Sequence, residues 1–413
     1  MSEDRIALDR NDRATIHQAA AHAPPRLAGN HAWHIDCIVG ARPNFIKIAP
    51  IVRALAKHRG LSTRVIHTGQ HYDVAMSRVF FEELAIPQPD INLGVGSGTS
   101  TAQTAQIMMR LDAVFRQHRP DLVLVVGDVN STAAAAYAAS HLGIPIAHVE
   151  AGLRSFDKAM PEEINRLVTD RLADLLFTTE SSATSNVIRE GVAPNRIKFV
   201  GNVMIDTLHH CILRAVPVAD SLAPHAKPEF LSRAMHGFGL VTLHRPSNVD
   251  DPVQLHGLLT ALRDLAPDCP LVFPLHPRTR ARIGEFGLNG FLTDERILAT
   301  PPLGYLSMLG LMREATYVVT DSGGVQEETT ALGVPCLTVR DTTERPVTLT
   351  EGSNTLVGTS PAALISAATS VLQAGGKRGR VPPLWDGGAS DRIAAEIEAF
   401  LNREVSASTA CAA

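Results

Sequence analysis

Acidic side chains recur in this chain just after short apolar runs, where a buried strand hands over to a loop or helix. Val126-Gly127-Asp128 and His148-Val149-Glu150-Ala151-Gly152 each set a carboxylate there. Burial disfavours the ionised form of a carboxyl and moves it towards neutrality. Two such groups in different surroundings are a usual source of a general base and a general acid. A helix-capping role is the competing reading for Asp128. Glu150, followed by Gly152 and Arg154, does not read as a cap. Met160-Pro161-Glu162-Glu163-Ile164-Asn165-Arg166 opens a helix, and the helix dipole favours acids in a first turn. That suffices for Glu163, whereas Glu162 gains interest beside Asp128 and Glu150.

Basic and glycine-rich stretches occupy the matching places. Gly40-Ala41-Arg42-Pro43-Asn44 leads into a helix carrying Lys47, so Arg42 and Lys47 bring positive charge to a helix N-terminus, a plausible anion seat. A plain turn with surface charges is the competing reading. Leu243-His244-Arg245-Pro246 ends another apolar run, and a His there is a candidate proton donor or phosphate ligand. In Thr320-Asp321-Ser322-Gly323-Gly324-Val325-Gln326-Glu327-Glu328 a helix starts on Ser322, Gly323 and Gly324, whose N–H groups can cradle phosphate. Glu328, one turn along, can accept from ribose hydroxyls. Arg340 and Arg345 lie at the same end, and Arg suits bidentate phosphate recognition.

Several chemistries lack their signatures. There is no G-x-G-x-x-G, no Walker A loop and no G-x-S-x-G elbow. The His and Cys residues show no metal spacing, so no metal or other cofactor is expected. Net charge is −4, from 38 Lys+Arg against 42 Asp+Glu, and aromatics are only 5%. Neither nucleic acid nor an anionic membrane surface is an expected partner. No apolar run reaches a membrane span, and residues 1–32 lack the apolar stretch of a secretory signal. The five scattered cysteines fit a reducing, cytoplasmic setting.

The elements that must hold these residues alternate as βαβ units. Expected strands are Ile35–Val39, Arg64–Thr68, Leu122–Val126, Ile146–Val149 and Leu175–Thr178, then Gly239–Leu243, Leu271–Leu275, Ile297–Ala299, Tyr317–Thr320 and Cys336–Val339. They are apolar on both sides, as parallel strands covered by helices are. DLVLVVGD, a small-residue helix and LGIPIAHVEAG reappear as ATYVVTDSGG, a helix and LGVPCLTVRD. One supersecondary unit used twice predicts an α/β fold of two doubly wound, Rossmann-like domains, with ligands at the carboxyl ends of the strands. The expected division is a mobile extension at 1–33, a first domain at 34–200 rejoined by a helix at 387–402, a second domain at 201–386, and a tail at 403–413.

Nine stretches in one order, GARPNFIKIAPI, TGQHYD, VVGDVNST, HVEAGLRSFD with MPEEINR, GNVMID, VTLHRPSNVD, FPLHPRTR, TDSGGVQEE and RDTTERP, resemble the non-hydrolysing UDP-N-acetylglucosamine 2-epimerase family. The resemblance runs from about Ile35 to Gly358. It implies the glycosyltransferase-B architecture, with both domains facing a central cleft. It further implies a homodimer that uses neither metal nor nicotinamide. The implied reaction interconverts UDP-N-acetylglucosamine and UDP-N-acetylmannosamine by eliminating and re-adding UDP, for surface polysaccharide synthesis. By motif match Asp128, Glu150 and Glu162 are the sugar-pocket carboxylates, joined by His244. Arg42, Lys47, His244, Arg245, Ser322, Gly323, Gly324, Glu328 and Arg345 hold UDP, and Gln70 and His71 match an allosteric region. Asn44 and Leu303-Gly304-Tyr305 depart from the better-known branch. A 2-epimerase of a UDP-2,3-diacetamido sugar, a glycosyltransferase of the same fold, a hydrolysing epimerase and a non-catalytic nucleotide-sugar sensor stand as alternatives.

Overall fold

The computed structural model describes residues 33–69, 83, 84 and 88–411, except for the side chains of Arg42 and 404–411. Gln70, His71 and the N-terminal extension lie outside the described residues. The chain divides into two compact units, one running to Val203 and taking in Gly388 onwards, the other spanning Met204–Gly387. Each is an α/β unit built on a wholly parallel sheet, as the repeated βαβ pattern predicts.

The first sheet contains β1 (Trp33–Val39), β2 (Leu61–His67), β3 (Ile91–Asn92), β4 (Leu122–Val126), β5 (Ile146–Ala151), β6 (Leu175–Thr178) and β7 (Ile197–Phe199). Their order is β3-β2-β1-β4-β5-β6-β7. Every residue of β4 is inaccessible to solvent, which explains its unbroken Leu-Val-Leu-Val-Val run. Burying each such side chain stabilises the unit by roughly 1.5–3 kcal/mol. The alanines of the helix Asn130–His141 allow close packing, with Ala134, Ala135, Ala136 and Ala139 fully buried between two neighbouring helices and the sheet. The last helix, Ala389–Cys411, packs on Arg42–Leu55 of the same unit and is pinned by Lys57–Asp391 at 2.7 Å and His58–Glu398 at 2.8 Å.

The second sheet contains β8 (Gly239–Thr242), β9 (Leu271–Pro274), β10 (Ile297–Thr300), β11 (Tyr317–Thr320), β12 (Cys336–Thr338) and β13 (Asn354–Leu356). Their order is β10-β9-β8-β11-β12-β13. Both orders reverse direction once, between β1 and β4 and between β8 and β11. In open parallel sheets a ligand crevice opens at that reversal, beyond the carboxyl ends of the strands. The turn after β1 and Asp128 flank the first reversal, and His244 and Ser322 flank the second. Among the described residues, no helix is long and apolar enough to cross a membrane.

Candidate active site

In the first unit, strand geometry aims the acids. β5 pairs with β6 in register through Val149↔Phe177, then slips, and Ala151 pairs with Thr178. Glu150 is the extra residue of that bulge. Its φ of 70° lies in the left-handed region, which costs a residue with a side chain about 1–2 kcal/mol. The strain is held by surrounding bonds. The Glu150 side chain is 2% exposed and its Oε2 accepts from Lys47 Nζ at 2.5 Å. Lys47 is itself buried, so the charge expected for an external anion is paired with Glu150. Gly127 also turns with positive φ, at 68°, and a Cβ there would stand 3.0 Å from Lys47 Nζ.

A buried dyad grips the turns on both sides of the acids. One nitrogen of the fully buried His148, Nε2, lies 2.9 Å from the Gly127 carbonyl, and the other lies 2.6 Å from Asp170 Oδ1. Asp170 Oδ2 accepts from the Gly152 N–H at 3.0 Å and pairs with Arg154 at 2.7 Å. Burial alone would raise the Asp170 carboxyl, but His148 and then Arg154 hold it below the usual carboxylate range. Asn44 completes the scaffold. Its carboxamide accepts from the Gly40 and Ala41 N–H groups and donates to the Val126 carbonyl at 2.9 Å. A carboxylate could not make that last bond.

Asp128 does not cap the following helix, whose N-cap is Val129. Arg166 instead donates to Asp128 Oδ2 from Nε at 3.0 Å and from Nη2 at 2.7 Å. Arg166 Nη1 also donates to Glu163. Glu163 does more than sit at a helix dipole. It is buried, and it accepts from the Ser155 and Phe156 N–H groups and the Ser155 hydroxyl, tying the loop before the helix Pro161–Leu172 to its first turn. Glu162, beside it, is exposed and makes no hydrogen bond or ion pair among the described residues. The backbone at Arg42 opens the helix Arg42–Leu55, as expected from Pro43.

In the second unit, the glycine-rich turn expected to hold an anion starts a helix. The helix Gly323–Leu332 starts on Ser322 as N-cap, and the Ser322 side chain makes no capping bond to its first turn. A Cβ on Gly323 would stand 2.7 Å from Arg345 Nη1 and 2.9 Å from Glu344 Oε1, so a larger residue would push those side-chain ends aside. Asp321, the repeat counterpart of Asp128, does different work. It is fully buried and accepts from the His244 N–H at 3.0 Å and the Arg245 N–H at 2.9 Å. Its Oδ1 lies 3.0 Å from His244 Nδ1, orienting a partly exposed imidazole whose Nε2 has no partner among the described residues. Arg245 Nε donates to the Asp321 carbonyl. Glu328 is buried and accepts from Tyr305 Oη at 2.7 Å. Burial pushes its carboxyl up to about 7.

Sequence reasoning located the acids but missed Arg166, which holds Asp128, and the roles of His148 and Asp170 in fixing the turns around the acids and of Asp321 in orienting His244. Arg166, one turn beyond Glu162 and Glu163, was the legible clue. The first unit thus offers two carboxylates held by cations and a third open to solvent, a set suited to proton transfer. The second offers helix N–H groups, guanidiniums and an oriented imidazole, a set suited to stabilising a departing phosphate.

A family model described as UDP-N-acetylglucosamine 2-epimerase matches residues 53–398. The UDP-N-acetylglucosamine 2-epimerase of Methanocaldococcus jannaschii is 41% identical over 363 residues, 87% of this chain and 97% of that protein. The UDP-2,3-diacetamido-2,3-dideoxy-D-glucuronate 2-epimerase of Pseudomonas aeruginosa is 42% identical over 338 residues, 81% of this chain and 91% of that protein. The crystal structure of the M. jannaschii UDP-GlcNAc 2-epimerase with UDP-GlcNAc and UDP matches with a TM-score of 0.80 at 40% identity, covering 89% of this chain and 99% of that one.

Proposed function

Since the chain belongs to the UDP-N-acetylglucosamine 2-epimerase family, we propose that it interconverts UDP-N-acetylglucosamine and UDP-N-acetylmannosamine. The observation that carries this reading is the pair of acids at the ends of adjacent strands, Asp128 after β4 and Glu150 on the β5 bulge, each held by a buried cation. The hydrogen at C2 of the sugar is too weakly acidic for simple removal. Elimination avoids a free carbanion. A carboxylate takes the C2 proton, the C–H pair forms the C1=C2 bond, and the C1–O pair leaves with UDP. Re-addition of UDP with protonation from the opposite face gives the epimer. Asp128, Glu150 and Glu162 divide the proton work. His244, Arg245, Arg345 and the Ser322–Gly324 turn neutralise the departing diphosphate, Glu328 accepts from the ribose hydroxyls, and Arg42 contributes on the first unit.

Product analysis on a panel of UDP-hexosamines tests this. UDP-N-acetylmannosamine should appear without any acceptor. An acceptor-dependent product would mark a glycosyltransferase, and free N-acetylmannosamine with UDP a hydrolysing enzyme. A second reading, epimerisation of a UDP-2,3-diacetamido uronic acid, is favoured by the 42% identity to the Pseudomonas enzyme, and the same panel decides it.

The partner reading is a homodimer. Met109, Tyr137, Ile164 and Val168 are exposed apolar groups on three helices that pack side by side. Sedimentation of wild type and Tyr137→Glu should give a dimer and a monomer. The buried thiols of Cys37, Cys211, Cys269 and Cys336 suit a reducing cytoplasm.

A further inference from the structure

Glu344 is a buried acid for which the proposed reaction has no task, and it lies against the glycine-rich turn expected to hold an anion. Three guanidiniums converge on it. Arg345 Nη1 donates to its Oε1 at 2.5 Å, Arg340 Nη2 donates to its Oε2 at 2.7 Å, and Arg245 Nη2 stands 3.8 Å from Oε1. Arg345 Nε also meets Glu327 Oε1 at 2.7 Å. Gly323 brings the first turn of its helix within contact of both the Glu344 carboxylate and the Arg345 fork. Among the described residues Arg340 Nη1 is buried without a hydrogen-bond partner, so the array is not closed by its own acids. Burial alone would push the Glu344 carboxyl up, yet Arg345 and then Arg340 hold it far below the usual range. It is therefore a fixed anion.

We propose that Glu344 is a positioning residue for the nucleotide's diphosphate, its carboxylate holding Arg245, Arg340 and Arg345 in one array beside the Gly323 turn before any ligand arrives. The proposal rests on the nucleotide reading above. A guanidinium left mobile must be ordered when the ligand binds, and that ordering lowers affinity. The planar fork of Arg rewards being preset. Simple charge gives the opposite expectation, since removing an anion beside an anion seat would strengthen diphosphate binding. The two accounts differ in sign.

Titration of wild type and Glu344→Gln with UDP and with uridine separates them, and Arg340→Gln tests whether that guanidinium belongs to the array. Both variants should bind UDP about tenfold or more weakly and uridine within about twofold of wild type. Tighter or unchanged UDP binding in Glu344→Gln overturns the proposal. So does an equal loss for uridine, which marks general damage to the unit. If Glu344→Gln does not fold, Arg340→Gln carries the test, since it keeps the Glu344–Arg345 pair, and unchanged UDP binding there overturns the proposal. Wild-type protein that binds neither UDP nor uridine overturns the nucleotide reading itself, and the proposal with it.

Discussion

Replacing Glu328 with Gln should make the protein more stable and worse at holding nucleotide. Glu328 is buried, and its bond from Tyr305 does not offset the cost of burying its charge. Its carboxyl rises from 4.5 to about 7, which at about 1.4 kcal/mol per pH unit is worth about 3 kcal/mol. The sign follows from the direction. Between those two pH values the folded protein keeps a proton that the unfolded chain releases, so stability is full below 4.5 and falls as pH rises through 7. Gln carries no proton to lose and can still accept from Tyr305. Urea denaturation at pH 4 should find the two proteins alike. At pH 8, Glu328→Gln should be more stable by about 3 kcal/mol. Calorimetric titration at pH 8 should find UDP bound about tenfold more weakly, because a carboxamide accepts ribose hydroxyls less well than a carboxylate. A stability difference that is flat with pH, or a variant less stable at pH 8, would show that Glu328 does not keep its proton on folding.

Other expectations follow from the first unit. Glu150→Gly should remove the left-handed strain and stabilise the backbone by about 1 kcal/mol, although it leaves Lys47 unpaired and abolishes turnover; pairing it with Lys47→Met should recover the gain in a denaturation series. Lys47→Met alone should cost about 3–5 kcal/mol at neutral pH by removing the buried cation paired with Glu150. Glu163→Gln should release the Ser155–Phe156 loop, seen as faster amide exchange there, with kcat reduced more than UDP affinity. On the acid side, Asp170 is held below its usual range, so the stability it lends is present above the unfolded carboxyl value and lost as pH falls through the folded one. Asp170→Asn should flatten that limb of a thermal-melt pH series.

The buried strands were legible because both their faces are covered. Leu122–Val126, Leu175–Thr178 and Tyr317–Thr320 have the ends that their apolar runs suggested. The edge strands Ile91–Asn92, Ile197–Phe199 and Asn354–Leu356 were not, since two or three half-covered residues leave no pattern. The last helix runs to Cys411, past the Leu401 where its apolar spacing weakens. At the site, strand-end position picked out Asp128 and Glu150, but the bulge that turns Glu150 depends on strand pairing and has no local signal. The divergence of Asp128 from Asp321 was equally hidden. The repeat places them alike, while their partners Arg166 and His244 come from elements far along the chain.

In the proposed reaction the carboxylates of Asp128, Glu150 and Glu162 move the proton at C2. NMR of UDP-N-acetylglucosamine incubated with the protein in heavy water measures this transfer directly. Wild type should place deuterium at C2 as the manno epimer forms, and Glu150→Gln should still bind UDP but exchange no proton. Epimer formed with its original hydrogen retained, or full exchange by Glu150→Gln, would contradict the mechanism.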